Sequence, residues 1–145
     1  MIHRDIKPGN ILFGRGNIPK LADFGLAAGA RSALGQQDEI WGTPYYVSPE
    51  RLNREEEDIR SDIYSLGAAL YHAFAGRAPF EADSAEEVAR RHLFDRSPPL
   101  RSLRPDANEQ TVFTLDKCLQ KKTSDRWQDY ENFISQLEDA RRRLA

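Results

Sequence analysis

The 145-residue chain has a single cysteine, Cys118. An internal disulfide framework is therefore excluded, and the composition suits a reducing cytosol, so a cytoplasmic location is expected. Neither sign of charge is in excess. Its 21 lysines and arginines stand against 23 aspartates and glutamates, a formal net charge of −2. That balance gives no general pull toward nucleic acid or an anionic membrane surface. Long apolar runs are also lacking. The longest stretch without a formal charge, Ile63 to Gly76, is too short and interrupted to span a membrane. No secretory leader is expected, because polar residues begin at His3. There is no internal repeat or low-complexity segment, and a chain of this length can bury one real core.

What is present starts with the first thirteen residues. His3, Arg4, Asp5, Lys7 and Asn10 stand just ahead of the apolar run Ile11-Leu12-Phe13. Pro8 and Gly9 keep the polar part out of a regular helix or strand. Ile11 to Phe13 reads as a buried strand that anchors a rigid loop. Such a loop offers what a positioned phosphoryl transfer needs. Asp5 can take a proton from a nucleophilic hydroxyl, Lys7 can neutralise a moving phosphoryl group, and Asn10 can offer an amide oxygen to Mg2+. Gly14-Arg15-Gly16-Asn17 reads as the turn of a small hairpin, since glycine and asparagine tolerate positive φ. The hairpin brings Ala22-Asp23-Phe24-Gly25 back beside Asn10, so Asn10 and Asp23 form a plausible Mg2+ pair.

His3-Arg4-Asp5-Ile6-Lys7-Pro8-Gly9-Asn10 resembles the catalytic loop of a protein kinase, H-R-D-x-K-x-x-N. Asp23-Phe24-Gly25 matches D-F-G, and Ser48-Pro49-Glu50 stands where the family has A-P-E. The resemblance implies that Asp5 is the catalytic base, with Lys7 and Asn10 beside it. Lys7, Asn10 and Asp23 would hold ATP and Mg2+, with Asn10 and Asp23 on the metal. Phe24 would pack under His3, and Gly25 would serve as a hinge. Lys7 and Thr43 favour the serine/threonine type, in which the threonine hydrogen-bonds the catalytic aspartate and lysine. The loop is similar to those of bacterial kinases of the eukaryotic type. Arg4 is of the kind that binds a phosphorylated activation-segment residue. Ser32 is the one candidate phosphosite between Phe24 and Thr43, with Asp38 and Glu39 as possible permanent substitutes.

The rest of the chain reads as mainly α within an α+β family: a helical bundle with a small β-hairpin by the catalytic loop. Ser61-Asp62 is expected to cap a central helix running to Gly76. On the resemblance, Asp62 holds the catalytic loop through backbone hydrogen bonds. Ser84 opens a capping box for a helix over about 85–93, with Val88, Ala89 and His92 inward; the histidine itself reads as a helix-surface residue. Residues 97–105 read as a proline-punctuated loop. Helices follow over 108–121, with Val112, Leu115 and Leu119 on one face, and over about 127–144. In the latter Trp127, Tyr130, Ile134 and Leu137 recur at helical spacing. Cys118 reads as a buried small apolar residue. By resemblance, Arg126 pairs with Glu50 in a buried ion pair.

The resemblance covers only the later part of a kinase domain. The sequence contains no glycine-rich phosphate loop, no V-A-I-K lysine, no partner glutamate helix and no adenine hinge. It implies a partial serine/threonine kinase domain over residues 1–145, acting on a protein substrate, whose N-terminal lobe lies upstream in the gene or on another chain. Alone, its activity is expected to be low or absent. The alternatives are a catalytically inactive interaction module and a small-molecule phosphotransferase of the aminoglycoside type. The intact polar loop argues against the first; Lys7, Gly42-Thr43 and Ser48-Pro49-Glu50 argue against the second.

Overall fold

The structure is a computed structural model, and it describes residues 1–24 and 42–144. The architecture is mainly helical, with one small antiparallel sheet among the described residues. Strand β1 (Ile11–Phe13) pairs with β2 (Pro19–Leu21), Ile11 opposite Leu21 and Phe13 opposite Pro19. The turn closes through Gly16 (φ 74°) and Asn17 (φ 58°), residue types that enter the left-handed region at low cost. The expectation of a buried strand needs correction. Leu12 and Phe13 are 55% and 69% exposed, because no described element lies over this two-stranded ribbon.

A short helix α1 (Pro49–Leu52) leads into the central helix α2 (Ile59–Ala75). The cap of α2 is not Ser61-Asp62 but Asp58, whose carboxylate accepts from the Arg60 N–H at 2.8 Å. Ser61 and Asp62 lie inside the first turn, buried, with their side chains committed elsewhere. At the other end Gly76, at φ 76°, donates its N–H to the His72 carbonyl and stops the helix as expected.

Helix α2 is wrapped on both sides, as its lack of charge from Ile63 onward foreshadows. On one side Tyr64, Ala68 and Tyr71 pack with Leu100, Ala107, Leu115 and Leu119. On the other Ile63 packs with Cys118, Trp127 and Phe133. The outer elements are α3 (Ala85–Phe94), α4 (Leu100–Leu103), α5 (Glu109–Cys118) and α6 (Tyr130–Arg142). Gly67 is where α2 meets α5: a Cβ built there would sit 2.3 Å from Cys118 Cβ. Gly67→Ala is therefore expected to destabilise the chain by about 1–3 kcal/mol through overpacking. Alanine is the better helix former by about 1 kcal/mol, so the two effects differ in sign. A gain in urea-unfolding stability would show that the close α2–α5 approach is wrong.

Further expectations are corrected here. Residues 97–105 are not only loop: they hold α4, anchored by the fully buried Leu100. Helix α6 begins at Tyr130 behind the Asp129 cap, and α5 stops at Cys118. Trp127 lies ahead of α6, buried, with its indole N–H donating to the Thr114 carbonyl at 3.2 Å. The later start turns Phe133, Leu137 and Ala140 inward, while Tyr130 and Ile134 are largely exposed. In α3 the Ser84 hydroxyl accepts from the Glu87 N–H at 3.2 Å, as expected. The Glu87 carboxylate turns to Arg90 and Arg91 instead of closing the box. His92 is fully buried, not a surface residue: its Nδ1 meets the Tyr64 hydroxyl at 2.7 Å and its Nε2 the Tyr45 carbonyl at 3.1 Å.

Candidate active site

The polar loop is held from beneath by α2. Asp62 Oδ2 accepts from the His3 N–H at 2.7 Å and Oδ1 from the Arg4 N–H at 3.0 Å. These two bonds satisfy buried donors that no strand or helix would otherwise pair. Arg4 is at φ 69°, a left-handed conformation that costs a non-glycine residue of order 1 kcal/mol and persists only where its surroundings enforce it. The Arg51 guanidinium closes the other side, donating to the Arg4 carbonyl at 2.8 Å.

His3 is buried and stitches the loop together. Its Nδ1 accepts from the Asp5 N–H at 3.2 Å and its Nε2 bonds the Ala22 carbonyl at 3.1 Å. This pairing fixes the tautomer with the proton on Nε2. The Phe24 ring meets His3 edge-on, centroids 4.7 Å apart.

Asn10 links Asp5 to the segment that carries Asp23. The buried Asn10 amide nitrogen donates to both the Asp5 carbonyl (2.8 Å) and the Asp5 carboxylate (2.9 Å). With the nitrogen so committed, the amide oxygen is the end left to face a cation. The Asn10 carbonyl in turn accepts from the Ala22 N–H at 2.8 Å, which sets Asp23 one residue beyond that bond. Asp23 is exposed and left-handed, at φ 60°. An amide oxygen and a carboxylate on adjoining segments form a hard-oxygen donor set that fits Mg2+, which completes its octahedron with waters and phosphate oxygens. No group of three or more His, Cys, Asp or Glu side chains among the described residues could hold a metal by itself.

Lys7 Nζ stands 3.4 Å from Asp5 Oδ1, with both side chains partly exposed, so the contact is solvent-screened. Thr43 is exposed beyond the left-handed Gly42 (φ 79°), and its carbonyl accepts from the Tyr45 N–H. No bond from its hydroxyl to Asp5 or Lys7 is present, so the contact implied by resemblance is not made in this structure. Gly25, Ser32, Asp38 and Glu39 lie outside the described residues.

Behind the site, Arg126 and Glu50 form a two-pronged ion pair, at 2.7 and 2.8 Å, with the guanidinium fully buried. The Ser61 hydroxyl donates to the same carboxylate at 2.6 Å. Two residues carry no signal in the sequence. Glu57, one acid among four in a run, reaches Arg4 at 3.4 Å. Arg51 reaches the same carboxylate at 3.7 Å.

The loop thus carries Asp5 bonded to the Asn10 amide, with Asp23 one residue past the Ala22–Asn10 backbone bond, and the buried Asp62 braces it from beneath. The protein kinase domain family matches residues 1–137, and the chain belongs to the protein kinase family. Its relatives narrow the type. The chain is 32% identical to a probable serine/threonine-protein kinase of Clostridium acetobutylicum over 97% of its own length. It is 37% identical to the serine/threonine-protein kinase PknB of Mycolicibacterium smegmatis over 88%, and 41% identical to the serine/threonine-protein kinase PknA of Corynebacterium glutamicum over 89%. It spans 22%, 21% and 27% of these relatives, respectively. No helix among the described residues is long and apolar enough to cross a membrane.

Proposed function

We propose that residues 1–145 are part of a serine/threonine protein kinase domain, running from the catalytic loop to the last helix. The reaction is transfer of the ATP γ-phosphoryl group to Ser or Thr hydroxyls of a protein. The observation that supports this most is the Asn10 side chain, which bonds Asp5 while its backbone carries the strand leading to Asp23. Base and cation ligands are thereby fixed in one frame. Asp5 accepts the proton of the attacking hydroxyl, and Lys7 lends positive charge beside it. Asn10 and Asp23 would hold Mg2+, which when bound neutralises charge on the nucleotide phosphates. Thr43 and the segment leading into α1 face the incoming protein. A cytoplasmic setting fits the lone cysteine.

The sequence contains no phosphate-cradling glycine loop and no V-A-I-K lysine, so the isolated chain is expected to transfer little phosphate from labelled ATP. The decisive measurement joins it to the nucleotide-binding lobe of a related kinase. Transfer to a generic protein substrate should then appear, and Asp5→Asn should lower it by about 10²–10⁴-fold. A joined protein that folds and binds ATP yet transfers nothing, or an unaffected Asp5→Asn variant, would overturn the reading and leave the inactive interaction module in its place.

A further inference from the structure

Arg4 directly precedes Asp5, and its left-handed backbone has to be imposed. Asp62 holds its N–H at 3.0 Å and Arg51 holds its carbonyl at 2.8 Å. The third hold is on the side chain. Glu57, from the loop between α1 and α2, places Oε2 3.4 Å from Arg4 Nε and Oε1 3.7 Å from Arg51 Nη1. The Glu57 and Arg51 side chains are only 9% and 11% exposed. One nearly buried carboxylate thus shares its two oxygens between two guanidinium groups, one of which, Arg51, also holds the Arg4 carbonyl. Partly buried charges are poorly screened, and removing the anion would leave two cations facing each other.

We infer that Glu57 is a positioning residue for Asp5: it is a built-in counter-anion that locks the two arginines, in a place where a phosphate group would serve equally well. This rests on the kinase reading of Asp5, but its geometry stands apart from it. A phosphate dianion has the charge and the acceptor oxygens to bind both guanidiniums. With Glu57 already there, the arginine pair needs no phosphorylated residue to order the loop before Asp5.

The test is chemical rescue. Glu57→Gln should lower the melting temperature by roughly 5 °C, and millimolar inorganic phosphate should restore most of that loss in the variant while leaving the unsubstituted chain almost unmoved. Adding Arg51→Leu to Glu57→Gln should abolish the rescue. A role in packing alone would give the same loss with no response to phosphate. Equal stabilisation of both proteins by phosphate, or a Glu57→Gln variant that melts like the parent, overturns the proposal. Should Glu57→Gln fail to fold, Glu57→Asp supplies a milder variant: its shorter carboxylate should lower the melting temperature less and phosphate should restore it, and a Glu57→Asp loss that phosphate leaves unchanged overturns the proposal. None of these readouts requires phosphate transfer, so a joined protein that binds ATP yet stays inactive would defeat the kinase reading and leave this result intact.

Discussion

Replacing Arg126 with methionine is expected to remove about 3–5 kcal/mol of stability. The guanidinium is spent on five bonds: two to Glu50, and one each to the carbonyls of Arg60 (3.0 Å), Gln120 (2.7 Å) and Lys121 (2.9 Å). It also lies over the Tyr64 ring, 4.8 Å from the centroid. Methionine fills the volume but leaves the buried Glu50 carboxylate and three carbonyls without that donor. Burial works to raise the Glu50 pKa. The hydrogen bonds and charge of Arg126, with the Ser61 hydroxyl, outweigh it and bring the carboxyl below its ordinary value. The folded pKa is depressed, so this stabilisation is complete above the unfolded value, about 4.5, and is lost as pH falls through the folded one. Urea unfolding at neutral pH gives the magnitude. The double variant Glu50→Leu/Arg126→Met should lose less than Arg126→Met alone, because no uncompensated charge stays behind. A loss below about 1 kcal/mol in Arg126→Met would mean that water reaches the carboxylate.

His92 is expected to make the fold acid-sensitive well above the carboxylate range. Burial lowers its pKa to about 3, the nearby Lys121 ammonium adds to this, and the bond to the Tyr45 carbonyl opposes it. Lys121 is held in place by the Arg91 and His92 carbonyls at 3.2 and 2.7 Å. The neutral ring uses both nitrogens, Nε2–H donating to Tyr45 and Nδ1 accepting from Tyr64, whose hydroxyl is itself kept protonated by burial. The unfolded chain binds this proton near pH 6.5, whereas the folded chain waits until about 3. The unfolded state therefore holds more protons in between, and stability rises with pH across that window. Each pH unit lost below 6.5 costs about 1.4 kcal/mol. Urea midpoints at pH 6.5, 6.0, 5.5 and 5.0 should fall steadily for the chain and much less for His92→Gln. Parallel slopes for the two would show that the ring takes up its proton without unfolding.

The parts of the fold that were legible in the sequence are those where one local rule had no competitor. Gly76 ends α2 and Ser84 opens α3 because each is the strongest stop or cap signal nearby. The hairpin turn follows from Gly16 and Asn17. The start of α2 was misplaced because Asp58, Ser61 and Asp62 are all good cap residues. What separates them is distant: Ser61 is taken by Glu50 and Asp62 by the polar loop, and no local window shows either. Trp127 fits a helical period with Tyr130 and Ile134, yet the Asp129 cap breaks that period and Phe133 takes the inward place. Residue type alone puts His92 on the surface, whereas Tyr64 and Tyr45 supply buried partners from elsewhere in the chain. At the site, the return of the chain beside Asn10 at Ala22 could be read from spacing, because a short hairpin leaves little choice. Glu57 could not be singled out, since nothing local distinguishes it from Glu55, Glu56 and Asp58. Only the arrival of Arg4 from 53 positions earlier selects it.

Among the described residues nothing covers the ribbon of β1 and β2, and this bears on how firmly a cation could be held. A two-stranded hairpin without cover is marginal in water, and local openings of such elements need far less free energy than global unfolding. The Ala22–Asn10 backbone bond that carries Asp23 toward Asn10 forms only while the ribbon is zipped. If Asn10 and Asp23 hold Mg2+ as proposed, the fraction of time both are assembled is set by this element's opening equilibrium, not by the well-packed helices. The apparent cation affinity is the intrinsic one scaled by that fraction. Anything that lay over Leu12 and Phe13 would raise the fraction, and by reciprocity a bound cation would tighten whatever lay there by the same factor.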